Sequence, residues 1–299
     1  MDAINGIATE MKVVNAMNRW IACILVLLLL GMSGAAGIAE ADDLPDGGFE
    51  TRQLCLENEG ERIYGKAYVP EGDGPFPLVI LAHGLGVTHA TCVDYAVALA
   101  RRGVAAYCFD FRGGADGSLS GGRVSEMSVL TEINDLEVVL EAAPGWDFVD
   151  PDRVGLMGFS QGGLVASVTA ARHPEAVAAL VLCYPAFIIP EMIRYQYASP
   201  EDFPESYDFG WVRVGHRYGA DVYDLDPYAE IAAYEAPVLL LHGDRDNVVP
   251  MMYTTRACQV YPNPEAHIIR GAGHGFEGSQ FDEAMGYVFD YLSGMGFVR

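Results

Sequence analysis

From about residue 50 onward, short apolar runs alternate with segments whose apolar residues recur at helical spacing. Leu78 to Ala82, Val104 to Phe109, Val154 to Met157, Ala179 to Tyr184 and Val238 to Leu241 are such runs, and His267-Ile268-Ile269 is a shorter one. Continuously apolar stretches of this length read as strands covered on both faces. Between them, Thr91 to Arg102, Ser128 to Ala142, Leu164 to Arg172 and Phe281 to Leu292 predict helices. In the second of these, Leu130, Ile133, Leu136, Val139 and Leu140 form one stripe and the acids face away. Gln53 to Asn58 and Arg62 to Val69 alternate apolar and polar residues around Glu59-Gly60, which predicts an opening hairpin. Strand and helix in alternation predict an α/β protein with a mostly parallel central sheet and helices on both faces.

Two intervals break this rhythm. Near the amino end, Lys12 and Arg19 precede the apolar stretch Trp20 to Leu30, and small residues follow it. That is the order of a secretory signal, placed at residues 1–41. The apolar core is short for a span of about 20 residues, so cleavage is favoured over a retained anchor. The protein is then expected to be secreted or held at the cell envelope. The remaining residues, 42–299, are read as one domain. The second interval, Phe187 to Tyr234, holds Tyr195, Tyr197, Phe203, Tyr207, Phe209, Trp211, Tyr218, Tyr223 and Tyr228. It is too long for an ordinary connection. It predicts an inserted cap at about 187–235, most of whose aromatics form the cap's own small core while a minority face the site.

Composition narrows the partners. A formal charge of −23 argues against nucleic acid and anionic membrane surfaces, and it disfavours polyanionic substrates. No membrane contact is expected beyond the leader. Outside the leader the cysteines are Cys55, Cys92, Cys108, Cys183 and Cys258, an odd number with no Cys-x-x-Cys. That pattern offers neither a metal framework nor a disulfide scaffold. Cys108 and Cys183 sit in strand-like runs and are expected to act as small buried hydrophobes. No metal or organic cofactor is expected, and the oligomeric state is not legible.

The chemistry gathers where strands end, which is where open α/β sheets place their sites. Gly158-Phe159-Ser160-Gln161-Gly162-Gly163 joins a strand to a helix with a serine at the apex. Such a turn strains the backbone and exposes the serine oxygen. The small residues two before and two after the serine answer the close approach of strand and helix. A serine hydroxyl needs a base, and the base needs an orienting carboxylate. His274, flanked by Gly273 and Gly275 after the last strand, is the candidate base. His216, His242 and His267 are weaker candidates. Asp244 and Asp246 both follow the strand that ends at Leu241. Asp246 is favoured, because the acid must be carried beyond the strand end, and Asp244 is expected to hold the turn through its own backbone. The oxyanion formed on attack needs two N–H donors, and the amides of Leu85 and Gln161 are the candidates. His83 is read as a turn-stabilising core histidine.

At these residues the chain resembles the α/β-hydrolase superfamily. The motifs are His83-Gly84-Leu85-Gly86, Gly158 to Gly163, His242-Gly243-Asp244-Arg245-Asp246 followed by Val248-Val249-Pro250, and Gly271-Ala272-Gly273-His274. Phe109 to Gly113 and Met127 to Asp135 make it similar, within that superfamily, to bacterial feruloyl and cinnamoyl esterases. The resemblance implies a serine esterase with an inserted cap, acting on small-molecule esters of hydroxycinnamic acids. Two departures are plain. The loop after Arg112 reads Gly113-Gly114-Ala115-Asp116-Gly117, without the family's Gly-His-Gly, and no cap motif matches residue by residue. A serine peptidase or acylaminoacyl hydrolase of the same fold is the alternative enzyme, and a non-catalytic binding protein on this scaffold is the alternative class.

Overall fold

The computed structural model describes residues 48–298, so the leader expected at 1–41 lies outside the described residues. The strands β1 (Phe49–Asn58) and β2 (Glu61–Pro70) pair antiparallel across Glu59-Gly60. Both turn residues have positive φ, 51° and 79°, the geometry that suits the twist of a two-residue hairpin. There follow β3 (Phe76–Ala82), α1 (Val93–Arg101), β4 (Ala105–Phe109), α2 (Val129–Ala142), β5 (Val149–Phe159), α3 (Gln161–Arg172) and β6 (Ala179–Cys183). The interval predicted as a cap then contributes α4 (Ile189–Gln196), the hairpin of β7 (Ser206–Asp208) and β8 (Arg213–Gly215), α5 (His216–Val222) and α6 (Pro227–Ile231). The chain closes with β9 (Val238–Gly243), α7 (Met252–Val260), β10 (Pro264–Ile269) and α8 (Ser279–Gly294).

Eight strands form one sheet in the order β1-β2-β4-β3-β5-β6-β9-β10. The pairings β1–β2 and β2–β4 are antiparallel and the rest are parallel. Period-two alternation sorts the strand residues onto two cores. Leu78, Ile80, Tyr107, Phe109, Leu180, Leu182 and Leu240 face the side covered by α2, α3 and the cap. Val79, Leu81, Cys108, Val181, Cys183, Leu239 and Leu241 face the side covered by α1 and α8. The continuous apolar runs arise because both faces are covered. Cys108 and Cys183 are fully buried among them. No helix among the described residues is long and apolar enough to cross a membrane.

Three features depart from the pattern-based expectation. β5 begins at Val149 rather than near Arg153, pairing Val149 with Phe76 before an irregularity in register. The half-buried Asp150 and the exposed Pro151 and Asp152 hide that start. The helix α7 was not predicted, because it buries only Tyr253, Thr254 and Ala257, too thin a stripe to register. The cap elements are three to eight residues long, shorter than a periodicity can be read over. Among the cap aromatics, Phe203, Tyr218, Tyr228 and Tyr234 are buried while Tyr195 and Trp211 are exposed.

One buried ion pair ties the loop after β4 to its surroundings. Arg112 donates from Nε to Asp135 Oδ1 at 2.6 Å and from its own amide to Oδ2 at 2.8 Å. Asn58 Nδ2 adds a third donor to Asp135 at 2.8 Å, and Arg112 Nη1 reaches the Asn58 carbonyl at 3.0 Å. The hairpin turn, the β4 loop and α2 are thereby pinned together. Removing Asp135 leaves the Arg112 charge buried, with only the exposed carboxylate of Glu59, 3.0 Å away, to pair with it. Asp135→Ala should therefore cost about 3–5 kcal/mol of stability by chemical denaturation. A loss below about 1 kcal/mol would show that water replaces the pair freely.

Candidate active site

The site begins with the junction of β5 and α3. Ser160 has φ 53° and ψ −118°, a region that non-glycine residues rarely occupy and that costs roughly 1–3 kcal/mol. Its neighbours hold it there. The Ser160 amide donates to the Cys183 carbonyl at 3.0 Å, and the Ser160 carbonyl accepts from Ala186 at 2.8 Å and Gly163 at 3.0 Å. The strand and helix approach so closely that a Cβ on Gly158 would overlap the Gly162 carbonyl. A Cβ on Gly162 would overlap the carbonyls of Ala82 and His83. Both positions therefore exclude any side chain, which is why glycine flanks the apex.

Loops after β9 and β10 bring the other two groups. Ser160 Oγ lies 2.8 Å from His274 Nε2, and His274 Nδ1 lies 2.7 Å from Asp246 Oδ2. The serine hydroxyl can donate to Nε2 while the Nδ1–H donates to the carboxylate. Asp246 is buried, and burial works against its charge. Hydrogen bonds from His242, His274 and the Val249 amide outweigh that and hold the carboxyl well below the usual carboxylate range. Asp246 is thus ionised, and it can stabilise a positive charge on His274.

The turn-holding task expected of Asp244 falls to Asp246. Asp246 accepts from the amides of Val248 at 2.8 Å and Val249 at 2.9 Å, so it folds its own turn while it faces His274. Asp244 instead accepts from the Gly271 amide at 2.6 Å, tying the β9 loop to the loop that carries His274. His242 lies beneath, with Nε2 at 2.8 Å from the Val249 carbonyl and 3.4 Å from Asp246 Oδ2, and Nδ1 at 2.8 Å from Thr254 Oγ1. Tyr184 was not singled out either. It holds φ at 41° and sets its ring 4.8 Å from that of His274. An apolar run ending in tyrosine carries no sign of that role.

The loop after β3 supplies the remaining pieces. His83 is buried, and burial lowers its pKa. Neutral, it donates from Nδ1 to the Gly84 carbonyl at 2.8 Å and accepts from the Phe111 amide at 3.3 Å, the turn-holding role. Gly84 lies against Ser160, with a Cβ placed there 3.3 Å from the serine Cβ. The amides of Leu85 and Gln161 donate to no protein group among the described residues. For Gln161 this follows from its place as the first residue of α3. The cap closes on the same loop, with Trp211 Nε1 donating to the Leu85 carbonyl at 3.2 Å and Val212 and Trp211 packed against Gly86. Asp110 braces the site from behind, accepting from the amide and Nδ1 of His89, each at 2.7 Å, and from the Leu119 amide at 2.8 Å. A cavity of about 530 Å³ between Arg52, Pro70, Phe76 and Phe148 lies at the other end of the sheet and meets none of these groups. Among the described residues, no three His, Cys, Asp or Glu side chains are grouped to hold a metal ion.

Glu132 is the second buried acid of the site region. It meets no water, and burial pushes its carboxyl well above the ordinary value of about 4.5, against the single hydrogen bond from Gln161. The folded state therefore keeps a proton that the unfolded chain releases above about pH 4.5. Stability from this group is complete below that pH and falls as pH rises, by up to about 1.4 kcal/mol per unit. Glu132→Gln removes the titration. Its unfolding free energy relative to the unmodified protein should climb steadily above pH 4.5 in denaturant titrations, and a difference flat from pH 4 to 8 would mean that Glu132 is ionised in the fold.

Known proteins are similar to this chain. The family described as serine aminopeptidase, S33, matches residues 73–206. An uncharacterized protein of Mycobacterium tuberculosis is 29% identical over 228 residues, 75% of this chain and 72% of that protein. The acylamino-acid-releasing enzyme of Sus scrofa is 26% identical over 193 residues, 58% of this chain and 24% of that enzyme. The structure of Est1E from Butyrivibrio proteoclasticus with ferulic acid bound superposes with a TM-score of 0.72 at 23% identity, covering 80% of this chain and 99% of that one. The chain therefore has the α/β-hydrolase fold.

Proposed function

We propose that this protein is a serine carboxylic-ester hydrolase that works through an acyl-enzyme. The observation that carries the reading is the hydrogen-bonded chain from Asp246 through His274 to Ser160, with the serine held on a strained turn. Ser160 Oγ attacks the ester carbonyl while His274 Nε2 takes its proton. Asp246 keeps the imidazole in the tautomer with Nδ1 protonated and stabilises the imidazolium. The amides of Leu85 and Gln161 hold the oxyanion, and losing one such donor costs about 3 kcal/mol in the barrier. The alcohol leaves with the proton from His274. Water then attacks the acyl-enzyme with His274 again as base, and the acid leaves as Ser160 Oγ recovers its proton. These groups complete both half-reactions between them.

For the substrate, we infer small esters of hydroxycinnamic or similar acids. The motif resemblance supports this, as does the likeness to Est1E, which holds ferulic acid. The cap supplies aromatic surface beside the candidate oxyanion loop at Trp211 and Phe209, and such surface suits a planar acyl group. The alternative, an aminopeptidase or acylaminoacyl hydrolase, is favoured by the family matched at residues 73–206 and by the acylamino-acid-releasing enzyme. Export by the segment at 1–41 is part of the same proposal and fits an extracellular ester substrate.

Parallel assays separate the two readings. The purified chain should cleave methyl ferulate and short p-nitrophenyl esters and leave peptide amides and aminoacyl anilides largely untouched. Higher kcat/KM on the anilides would favour the peptidase. Ser160→Ala should keep the circular dichroism of the parent, lose ester turnover by at least about 10³-fold and no longer react with a fluorophosphonate probe. Retained turnover in that variant would reject the acyl-enzyme.

A further inference from the structure

The residue after the nucleophile carries a buried polar side chain held at both ends. Gln161 is fully buried. Its Oε1 accepts from the Tyr218 hydroxyl at 2.8 Å, and its Nε2 donates to Glu132 Oε2 at 2.8 Å. The second amide hydrogen faces only the Met127 sulfur, at 3.9 Å. Tyr218 and Glu132 are themselves fully buried. The other carboxyl oxygen of Glu132 has no partner. A methionine or leucine would fill this space without needing partners, so three buried polar groups at one spot demand another reason.

That reason lies in where each group comes from. Glu132 belongs to α2, Tyr218 to α5 of the cap, and Gln161 opens α3. A turn on from Tyr218, Asp221 accepts from the hydroxyl of Ser128, which caps α2, at 2.5 Å. The backbone of Gly215 packs directly on the Ser125 carbonyl. The cap is thus seated on the start of α2, and the bond from Tyr218 carries that seating to Gln161. A glutamine side chain has three rotors. Fixing both ends of its amide fixes the Cα it hangs from, and with it the direction of the Gln161 N–H.

We propose that Tyr218 and Glu132 are positioning residues that grip the Gln161 side chain from opposite ends and so aim its backbone amide at the oxyanion, which makes a seated cap a condition for full turnover. The proposal rests on the acyl-enzyme reading above and deepens it. Neither residue touches substrate; both act through Gln161. Burial keeps the Tyr218 phenol protonated, a donor across the working pH range. Because the grip needs an acceptor at Glu132 and not a charge, glutamine can replace it.

The test uses the full chain and p-nitrophenyl acetate. Tyr218→Phe should lower kcat about tenfold, with KM within about twofold, because a displaced oxyanion donor acts in the transition state and not in ground-state binding. Phosphonylation of Ser160 by a fluorophosphonate should slow in parallel. Glu132→Gln should keep kcat within about twofold, while Glu132→Leu, apolar and of similar size, should lose it like Tyr218→Phe. Gln161→Met combined with Tyr218→Phe should be no slower than Gln161→Met alone, since losing the Gln161 amide already removes the bond to Tyr218 along with that to Glu132. Unfolding midpoints guard against general damage, and Glu132→Leu separates the roles if Tyr218→Phe fails to fold. In a protein whose ester turnover depends on Ser160, a folded Tyr218→Phe and Glu132→Leu with parental kcat would overturn the positioning role alone. A rise in KM at constant kcat would likewise overturn it and make Tyr218 a binding contact. A parent chain with no Ser160-dependent turnover would instead overturn the acyl-enzyme reading and this role with it.

Discussion

The constraint on which the rest depends is the distance between β5 and α3. They meet so tightly that Gly158 and Gly162 can carry no side chain. The chain can pass from one to the other only by forcing Ser160 to φ 53°. A strained residue persists only when its surroundings over-determine it. Here they do, through three main-chain bonds to Cys183, Ala186 and Gly163 and through the two apolar cores that clamp the sheet from both sides. The same closeness lays the carbonyls of Ala82 and His83 beside Gly162 and Gly84 beside Ser160. The loop after β3 therefore sits at Ser160 as a consequence of packing, and it needs no separate device to bring it there.

How much of this could be read from the chain alone differs by element, for physical reasons. Strands buried on both faces are legible because every residue in them must be apolar, and Leu78 to Ala82 or Val238 to Leu241 can be little else. The glycines around Ser160 are legible because a steric exclusion admits one residue type. Where a fold tolerates several residue types, the pattern fades. The helix at Met252–Val260 buries three residues and shows no period. The cap's short elements hold together through ring packing, such as Phe203 against Tyr197 and Tyr207, which has no fixed spacing along the chain. Long-range polar partners are the least legible. Glu132 sits in a helix whose spacing alone turns the acids toward water, and only the fold reveals that Glu132 and Asp135 are buried and that Glu132 faces Gln161, 29 positions away. The choice between Asp244 and Asp246 rested on reach, and the geometry sets Asp246 against His274. It also makes Asp246 the acid that folds its own turn, so one carboxylate serves the loop and faces the imidazole together.

The cap adds a second kind of dependence. Besides the apolar packing that joins it to the core, it makes polar contacts close to the site. These are Trp211 to the Leu85 carbonyl, Asp221 to Ser128 and Tyr218 to Gln161. Two of the three end on residues whose amides are the candidate oxyanion donors. A substrate that presses on the cap therefore presses, through one or two bonds, on the groups that would stabilise its own transition state. Such a coupling lets acyl-group shape influence rate as well as affinity, because it acts on donors used only as charge develops.

Two buried acids beside this arrangement are shifted in opposite directions, and the number of donors around each explains the difference. Asp246 faces two backbone amides and two imidazoles, enough to outweigh the cost of burying its charge. Glu132 has one neutral amide donor and one bare oxygen, and burial wins, pushing its carboxyl well above the ordinary value. Exchanging the two shifts would damage the chemistry twice. A neutral Asp246 could not steady the imidazolium. An ionised Glu132, joined by one hydrogen bond to the residue behind the oxyanion, would oppose the negative charge that must form there, in a setting where little water is present to screen it. A core that starves one carboxyl of donors and crowds them around the other favours negative charge beside the imidazole and disfavours it beside Gln161, as the proposed acyl transfer would require.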